Sequence, residues 1–181
     1  MESMKITVIH GSPRKHRNSD TMVESFLNGL HGENSTFHFY TNEMSIRGCQ
    51  GCQKCDQHLE NFCATEDDMQ QIYTAFIESN IIVFATPMYW GYMTAQMKAV
   101  MDRMEAITGN FKNKIFVVLI TYRHHCESTV NFFKRVCPFF GVQLHVITCR
   151  TIDEKENDLP ISAFPDKLQE AFALGAILSN P

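Results

Sequence analysis

The stretch at residues 5–30 reads KITVIHGSPRKHRNSDTMVESFLNGL, and it predicts three structural units in succession. The short apolar run at residues 6–9 is typical of a buried strand. A turn signal follows at Gly11 and leads into a polar, basic loop. From Met22 to Leu30 the apolar residues recur at helical spacing. The stretch therefore predicts a strand, a basic loop and a helix.

The loop between this strand and this helix has the composition of an anion-binding site. Backbone N–H groups at a helix N-terminus point toward whatever lies in front of them, and the helix dipole favours negative charge there. The loop adds neutral donors and one charged fork suited to phosphate, namely Ser12, Asn18, Ser19, Thr21 and Arg14. Its single glycine matches neither G-x-G-x-x-G nor the Walker A pattern. We predict that it wraps a terminal phosphate monoester; an exposed basic loop that caps an ordinary helix is the alternative.

The length and composition of the chain are those of an ordinary globular protein. The 181 residues are predicted to form one domain, 1–181. A net charge of −4 argues against a nucleic-acid partner, and no apolar run is long enough to cross a bilayer. Because the first strand begins almost at the N-terminus, we expect no signal peptide. Seven cysteines, an odd number, argue against a secreted disulfide scaffold and favour a cytoplasmic location.

Strands and helices alternate along the rest of the chain. Strands are predicted at residues 6–9, 36–40, 81–85, 115–120 and 142–149. Pro87 is expected to end the third strand. The alternation predicts the α/β class, with helices on both faces of a doubly wound, five-stranded parallel sheet in the order 2-1-3-4-5.

This strand order brings two distant loops together. In a doubly wound sheet, the ligand lies outside the carboxyl ends of the strands where the winding reverses, here strands one and three. The basic loop follows strand one, and an aromatic loop at residues 88–92 follows strand three. A phosphorylated ligand with a flat ring fits this pair of loops, and FMN is the obvious one.

Several motifs in the first 103 residues occur together in one known family. Residues 11–14 (GSPR) with Asn18 and Ser19, and residues 86–90 (TPMYW) with the helix after them, resemble flavodoxin-like NAD(P)H-dependent FMN reductases. The cysteine-bearing segment that follows strand two looks like the iron–sulfur flavoprotein branch of that family. Residues 121–125 stand where the family often has a glycine-rich third loop, and they contain no glycine. The resemblance therefore assigns no flavin contact to this third loop.

The resemblance implies FMN as the cofactor and NAD(P)H as the co-substrate. Carried over residue by residue, it implies that the phosphate is bound by Ser12, Arg14, Asn18, Ser19 and Thr21. It implies that the flavin ring is lined by Pro87, Met88, Tyr89, Trp90 and Gly91. No side chain is assigned as a catalytic acid or base, because the flavin itself carries the redox chemistry. Lys98 and Arg103 are expected to form ion pairs on the helix surface.

The long loop after strand two carries four cysteines in the pattern C-x2-C-x2-C-x7-C. They are Cys49, Cys52, Cys55 and Cys63. Three thiolates spaced two residues apart can bind three corners of a 4Fe–4S cluster, and a fourth completes it. Two alternatives stay open: a structural loop over the flavin without a cluster, and a reversible disulfide between Cys55 and Cys63. Cys137 and Cys149 are expected to be core thiols.

Two functions follow from this site. The first is an FMN-dependent oxidoreductase that takes hydride from NAD(P)H and passes electrons to a quinone, a flavin or another small acceptor. The alternative is an iron–sulfur flavoprotein electron carrier that uses a 4Fe–4S cluster and FMN, with ferredoxin as its partner. A phosphatase on this fold would need a cysteine in the first loop, and residues 10–12 (HGS) supply none.

A homodimer or tetramer is also predicted. The reasons are the aromatic pair Tyr89 and Trp90, the family resemblance, and a row of methionines at helical spacing. The row consists of Met93, Met97, Met101 and Met104. Core packing is the alternative explanation for these methionines.

Overall fold

The fold is built on one twisted sheet whose five long strands are all parallel. The computed structural model describes residues 3–57 and 63–179. Its strands are β1 (Met4–His10), β2 (Asn34–Tyr40), β3 (Ile81–Tyr89), β4 (Tyr92–Met93), β5 (Ile115–Tyr122) and β6 (Gln143–Arg150). The order is β2-β1-β3-β5-β6, so the predicted order 2-1-3-4-5 of the long strands is confirmed. The sixth strand, β4, is a two-residue strand that pairs antiparallel with the end of β3.

Helices cover both faces of the sheet and separate the core into two halves. They are α1 (Asn18–Asn28), α2 (Met69–Glu78), α3 (Ala95–Arg103), α4 (Glu127–Phe139) and α5 (Pro165–Leu178). Along β3, Ile81 and Val83 pack on the α1 and α5 side, while Ile82 and Phe84 pack on the α2, α3 and α4 side. Both faces of β3 are therefore buried, which explains why its sequence is a continuous apolar run rather than an alternating one.

Two glycines allow α1 and α5 to cross closely. A Cβ atom on Gly29 would stand 1.9 Å from the carbonyl oxygen of Phe172, and one on Gly175 would stand 2.1 Å from that of Phe26. Any larger residue at either position would push the helices apart. The crossing fixes α1, and with it the loop that precedes α1.

Helix α1 begins four residues before the apolar pattern that revealed it. The helix starts at Asn18, and the backbone N–H of Thr21 donates to the carbonyl of Arg17 at 3.0 Å. The first turn is polar because its side chains face the neighbouring loops rather than the core. A search for apolar periodicity detects only the part of the helix from Met22 onward.

The prediction that Pro87 ends the third strand is wrong. Strand β3 continues through Pro87 to Tyr89, and Pro87 is aligned with Thr121 of β5. Proline removes one backbone donor but keeps its carbonyl, and here it sits near the end of the ladder, where one lost hydrogen bond does little harm.

The segment between β2 and α2 is long and irregular, as predicted. It contains two short 3-10 helices, Thr41–Glu43 and Lys54–Gln57, and residues 58–62 lie outside the described part. Further 3-10 turns occur at Met104–Asn110 and Ile161–Ala163. Among the described residues, no helix combines the length and the apolar character needed to cross a membrane.

Candidate functional site

The loop after β1 is anchored where β1, β3 and α3 meet. The backbone N–H of Gly11 donates to the carbonyl of Ala85 at 2.8 Å, and the Thr94 hydroxyl donates to the carbonyl of Gly11 at 2.6 Å. A Cβ atom on Gly11 would stand 2.9 Å from the Cβ of Met97. The only glycine of this loop is therefore required by its close approach to α3.

Ser12 forms the first turn of the loop. Its hydroxyl donates to the carbonyl of Arg14 at 3.0 Å and accepts from the Arg14 N–H at 3.1 Å. Ser12 is buried, whereas the Arg14 side chain is exposed. The predicted phosphate residues thus include a buried neutral hydroxyl, that of Ser12, and an exposed charged group, that of Arg14.

Asn18 and Ser19 bind other parts of the protein through their side chains. The Asn18 amide donates to the carbonyl of Leu159 at 3.1 Å and accepts from the N–H of Ile161 at 2.9 Å. The hydroxyls of Ser19 and Thr121 share a hydrogen bond of 3.1 Å. Asn18 therefore docks the segment after β6, and Ser19 joins α1 to the end of β5. The predicted contacts of these two residues with phosphate remain predictions.

The first turn of α1 supplies backbone donors. The first N–H groups of any helix have no partner within the helix. Thr21, the fifth predicted phosphate residue, lies one turn inside α1, and its hydroxyl donates to the carbonyl of Arg17 at 3.4 Å. The donors of this turn, the Ser12 hydroxyl and the exposed Arg14 together form a set that suits a phosphate monoester.

The aromatic loop after β3 is a tight hairpin. Tyr89 pairs with Tyr92 across a two-residue turn, Trp90 and Gly91. Both turn residues have positive φ, 53° for Trp90 and 79° for Gly91, which are the values of a type I′ hairpin turn. The left-handed conformation is unfavourable for a tryptophan, so the hairpin turn must impose this conformation on Trp90.

The residues of this hairpin differ widely in exposure. Pro87 is buried, Met88 is half-buried, Tyr89 is exposed and the side chain of Trp90 is completely exposed. The Ser128 hydroxyl, at the start of α4, donates to the carbonyl of Gly91. The five residues predicted to line the flavin ring therefore run from the sheet edge out to the tip of the hairpin.

The third loop, residues 121–125, is tied to the segment after β6. The carbonyl of Tyr122 accepts from the Thr151 N–H at 2.8 Å, and the Arg123 guanidinium donates to the carbonyl of Glu156 at 2.9 Å. His124 and His125 are exposed. The loop therefore lies beside the site. Its link to α1 is the hydrogen bond between Thr121 and Ser19.

The four cysteines of the long loop do not converge. Cys49 and Cys52 are exposed, and Cys55 and Cys63 are half-buried. In residues 3–57 and 63–179, no three histidine, cysteine or acidic side chains stand close enough together to hold a metal ion. Thiolates are the right ligands for iron–sulfur chemistry, but the arrangement described here does not form such a site.

Arg103 closes the base of the cysteine loop. Its guanidinium donates to the carbonyl of Arg47 at 3.0 Å, to the carbonyl of Thr65 at 2.8 Å and to a carboxylate oxygen of Asp67 at 2.8 Å. Arg103 is 2% exposed. The prediction of a surface ion pair is therefore wrong for Arg103, although Lys98 does pair with Asp102 on the surface of α3.

Asp67 and Tyr73 complete this clasp. The Asp67 carboxylate also accepts from the backbone N–H groups of Arg47 at 2.9 Å and of Met69 at 3.1 Å. Burial raises the pKa of Asp67, but these hydrogen bonds and the Arg103 charge outweigh burial and hold it below its ordinary value. The Tyr73 hydroxyl donates to the carbonyl of Arg103 at 2.8 Å. We call Asp67, Tyr73 and Arg103 the loop clasp.

The loop clasp also influences the nearest cysteine. Burial raises the pKa of the Cys63 thiol, but hydrogen bonds involving Thr65 and Tyr73, together with the Arg103 charge, bring it below its ordinary value. By contrast, burial raises the pKa of Cys149 to about 11, and this residue is a core thiol, as predicted. Cys137 is buried as well.

The methionine row belongs to the core. Met93, Met97 and Met104 are buried against α2, β3 and β5, and Met101 is half-buried. Core packing, the alternative explanation, is therefore correct for three of the four. The prediction of a dimer then depends on the exposed aromatic residues of the hairpin and on the family resemblance.

The sheet and the two paired loops define a flavodoxin-like fold, and comparison with known proteins assigns the family. Residues 4–151 match the model of the NADPH-dependent FMN reductase family, so the chain belongs to that family. This match confirms the family recognised from the sequence motifs and FMN as the cofactor that goes with it.

Individual relatives agree with this assignment. The chain is 36% identical over 121 residues to an iron–sulfur flavoprotein from Methanosarcina thermophila and 38% identical over 104 residues to one from Archaeoglobus fulgidus. These matches cover 64% and 56% of this chain, and 62% and 46% of the relatives. The chain therefore spans about half the length of the curated relatives it matches.

Solved structures share the fold. An NAD(P)H:quinone oxidoreductase from Methanothermobacter marburgensis superimposes with a TM-score of 0.73 and covers 99% of both chains at 16% identity. At that identity the likeness shows the fold alone. It confirms the flavodoxin-like class predicted from the alternating strands and helices.

The loop clasp makes a prediction about stability. Replacing Arg103 with methionine removes the closer and buried of the two cations beside the Asp67 carboxylate, so we expect a loss of about 3–5 kcal/mol in the free energy of unfolding. The control Lys98→Ala removes an exposed pair and should change this free energy by about 1 kcal/mol or less. Denaturant unfolding measures both. Equal, small losses would show that Arg103 does not hold the loop.

Proposed function

We propose that this chain is an FMN-dependent oxidoreductase that binds its cofactor across the loops after β1 and β3. One observation carries the proposal: hydrogen bonds from Gly11 to Ala85 and from Thr94 to Gly11 fix the phosphate-type loop directly beside the aromatic hairpin. A sheet with this strand order has its ligand site at the same edge. The family match supports FMN as the ligand.

The phosphate of FMN would be held by three kinds of donor. The buried Ser12 hydroxyl and the first backbone N–H groups of α1 are neutral donors, and Arg14 adds a positive charge from the rim. Charge-assisted hydrogen bonds to phosphate are stronger than neutral ones. The Asn18 and Ser19 side chains, already engaged elsewhere, would shape the helix start instead of contacting phosphate directly.

The flavin ring would lie against the hairpin after β3. Its inner part, Pro87 and Met88, is packed and fixed, whereas Tyr89 and Trp90 are exposed. When bound, FMN would accept a hydride, two electrons and one proton equivalent, from NAD(P)H and pass the electrons to a quinone, a flavin or another small acceptor. The chain's own residues position the cofactor and exclude water from the buried side of the site.

An electron carrier is the second candidate, favoured by the cysteine spacing and by the names of two relatives. In this case Cys49, Cys52, Cys55 and Cys63 would bind a 4Fe–4S cluster, which would exchange single electrons with ferredoxin. We prefer direct hydride transfer, because FMN motifs are present on two loops whereas the cluster rests on one segment. A cytoplasmic location and the absence of nucleic-acid partners stay predictions from the sequence.

The chain is also proposed to be a homodimer or tetramer with the hairpin at its interface. Trp90 is completely exposed and held rigidly by the type I′ turn. Tryptophan is among the residues most enriched at protein–protein contacts. A second copy of the chain packing on Trp90 would cover this side chain and shield the adjacent flavin face.

The phosphate loop is tested by comparing FMN with riboflavin, which lacks the phosphate. The double variant Ser12→Ala, Arg14→Ala should lose at least about 100-fold in FMN affinity, because hydrogen bonds to a charged group contribute about 1.5–3 kcal/mol each. Its riboflavin affinity should stay unchanged. Fluorescence titration of the apoprotein measures both, with Arg135→Ala, an exposed arginine on α4, as the control. A wild type that binds both flavins equally would contradict the site.

The route of the electrons separates the two candidate functions. Protein purified without oxygen is analysed for iron and sulfide, and its reduction by NAD(P)H is compared with that of Cys52→Ser. Hydride transfer predicts no iron and the same rate of flavin reduction in wild type and in Cys52→Ser. Cys149→Ala, which removes a cysteine outside the long loop, is the control. About four irons per chain, together with loss of iron and of flavin reduction in Cys52→Ser, would establish the electron carrier instead.

The oligomeric state is tested by light scattering at micromolar concentration. Wild type should have at least the mass of a dimer, and Trp90→Asn should shift the equilibrium toward the monomer. Asparagine tolerates the left-handed conformation, so the hairpin itself should survive. The matched control is Phe139→Ser, which removes another exposed aromatic side chain, at the end of α4. A wild type that is only monomeric rules the proposal out.

A further inference from the structure

A buried histidine–aspartate pair lies directly beneath the phosphate loop. His10 is the last residue of β1 and is 2% exposed, and Asp20, in the first turn of α1, is 3% exposed. His10 Nδ1 lies 2.8 Å from Asp20 Oδ1. Charged side chains are rarely buried so completely unless they are paired. Neither residue has a part in the function proposed above.

Asp20 uses its second oxygen to hold the loop itself. Oδ2 accepts from the backbone N–H of His16 at 2.7 Å. His16 has a φ of 56°, a left-handed conformation that is uncommon for a residue other than glycine. The Asp20 carboxylate therefore connects His10, at the end of β1, to His16, the loop residue with the left-handed backbone.

His10 is itself fixed on its remaining sides. Its Nε2 shares a hydrogen bond of 3.0 Å with His38 Nδ1, and its ring stacks on Tyr40 with centroids 4.1 Å apart and planes 12° apart. The Thr41 hydroxyl donates to the His10 carbonyl at 2.9 Å. The imidazole cannot turn away from Asp20 without breaking its contacts with His38 and Tyr40 of β2.

The charge of Asp20 opposes phosphate binding, so its position requires a reason. Burial raises the pKa of Asp20, but the hydrogen bonds from His10 and from the His16 N–H outweigh burial and place it below its ordinary value. The group is therefore a carboxylate at neutral pH, and a carboxylate near a phosphate repels it. Its benefit must come from geometry rather than from charge.

We propose that His10 and Asp20 are positioning residues that hold the loop in its phosphate-binding conformation before the cofactor arrives. Asp20 fixes the backbone at His16, and His10 fixes the Asp20 carboxylate. A loop that is already ordered loses less conformational entropy on binding, which increases affinity. This inference rests on the proposed FMN site and deepens it.

Two variants of Asp20 separate geometry from charge. Asp20→Asn keeps an oxygen for the His16 N–H and removes the charge, whereas Asp20→Ala removes both. Positioning predicts that Asp20→Ala weakens FMN binding about tenfold, or about 1.4 kcal/mol, while Asp20→Asn binds FMN as tightly as wild type or more tightly. Riboflavin affinity should be the same in all three proteins, since only FMN carries the phosphate.

Two variants of His10 provide an independent test. His10→Phe keeps a flat ring against Tyr40 but has no donor, whereas His10→Asn can place an amide donor near the former Nδ1. We expect His10→Phe to weaken FMN binding about tenfold and His10→Asn to restore most of the loss. His145→Asn, a change on β6 outside the loop, is the control. Thermal unfolding of each apoprotein shows whether it is folded. If His10→Phe does not fold, the comparison of Asp20→Ala with Asp20→Asn tests the proposal.

The outcomes are distinguishable. If Asp20→Ala and Asp20→Asn both tighten FMN binding, Asp20 acts only through its charge and the inference is overturned. If the variants weaken FMN and riboflavin equally, the pair merely supports the fold, and the inference fails again. If wild type itself does not prefer FMN to riboflavin, the proposed phosphate site is wrong rather than this pair.

Discussion

The passage of the Gly11 backbone past the start of α3 is the contact on which the candidate site depends. The Thr94 hydroxyl accepts from the Met97 N–H at 3.2 Å, which caps α3, and donates to the Gly11 carbonyl at 2.6 Å. There is no room for a side chain at position 11, since its Cβ would stand 2.9 Å from Met97 Cβ. The loop after β1, the hairpin after β3 and α3 therefore form one rigid unit at the edge of the sheet.

The other end of α3 holds the cysteine loop. Arg103 binds Arg47 on one side of that loop and Thr65 and Asp67 on the other. A nine-residue helix is roughly 13 Å long at 1.5 Å per residue. The same short helix thus connects the phosphate loop to the cysteines. This gives the two redox elements suggested by the sequence a common support, whichever of them delivers the electrons.

The sequence predicted the architecture well because apolar runs and their spacing report burial directly. The five long strands and their order follow from these runs, and Cys149 is a core thiol as predicted. The pairs Arg103–Asp67 and His10–Asp20 were missed. Buried charges are rare, and Arg103 is separated from its partner by 36 residues. Only the fold brings such partners together.

The most direct test of the whole account is a crystal structure of the protein with FMN bound. The account predicts that the phosphate lies against the Ser12 hydroxyl and the first N–H groups of α1, with Asp20 still bridging His10 and His16. The flavin ring should lie against the hairpin that ends in Trp90. A phosphate bound elsewhere, or a loop that rearranges and breaks the bond between Asp20 and His16, would contradict it.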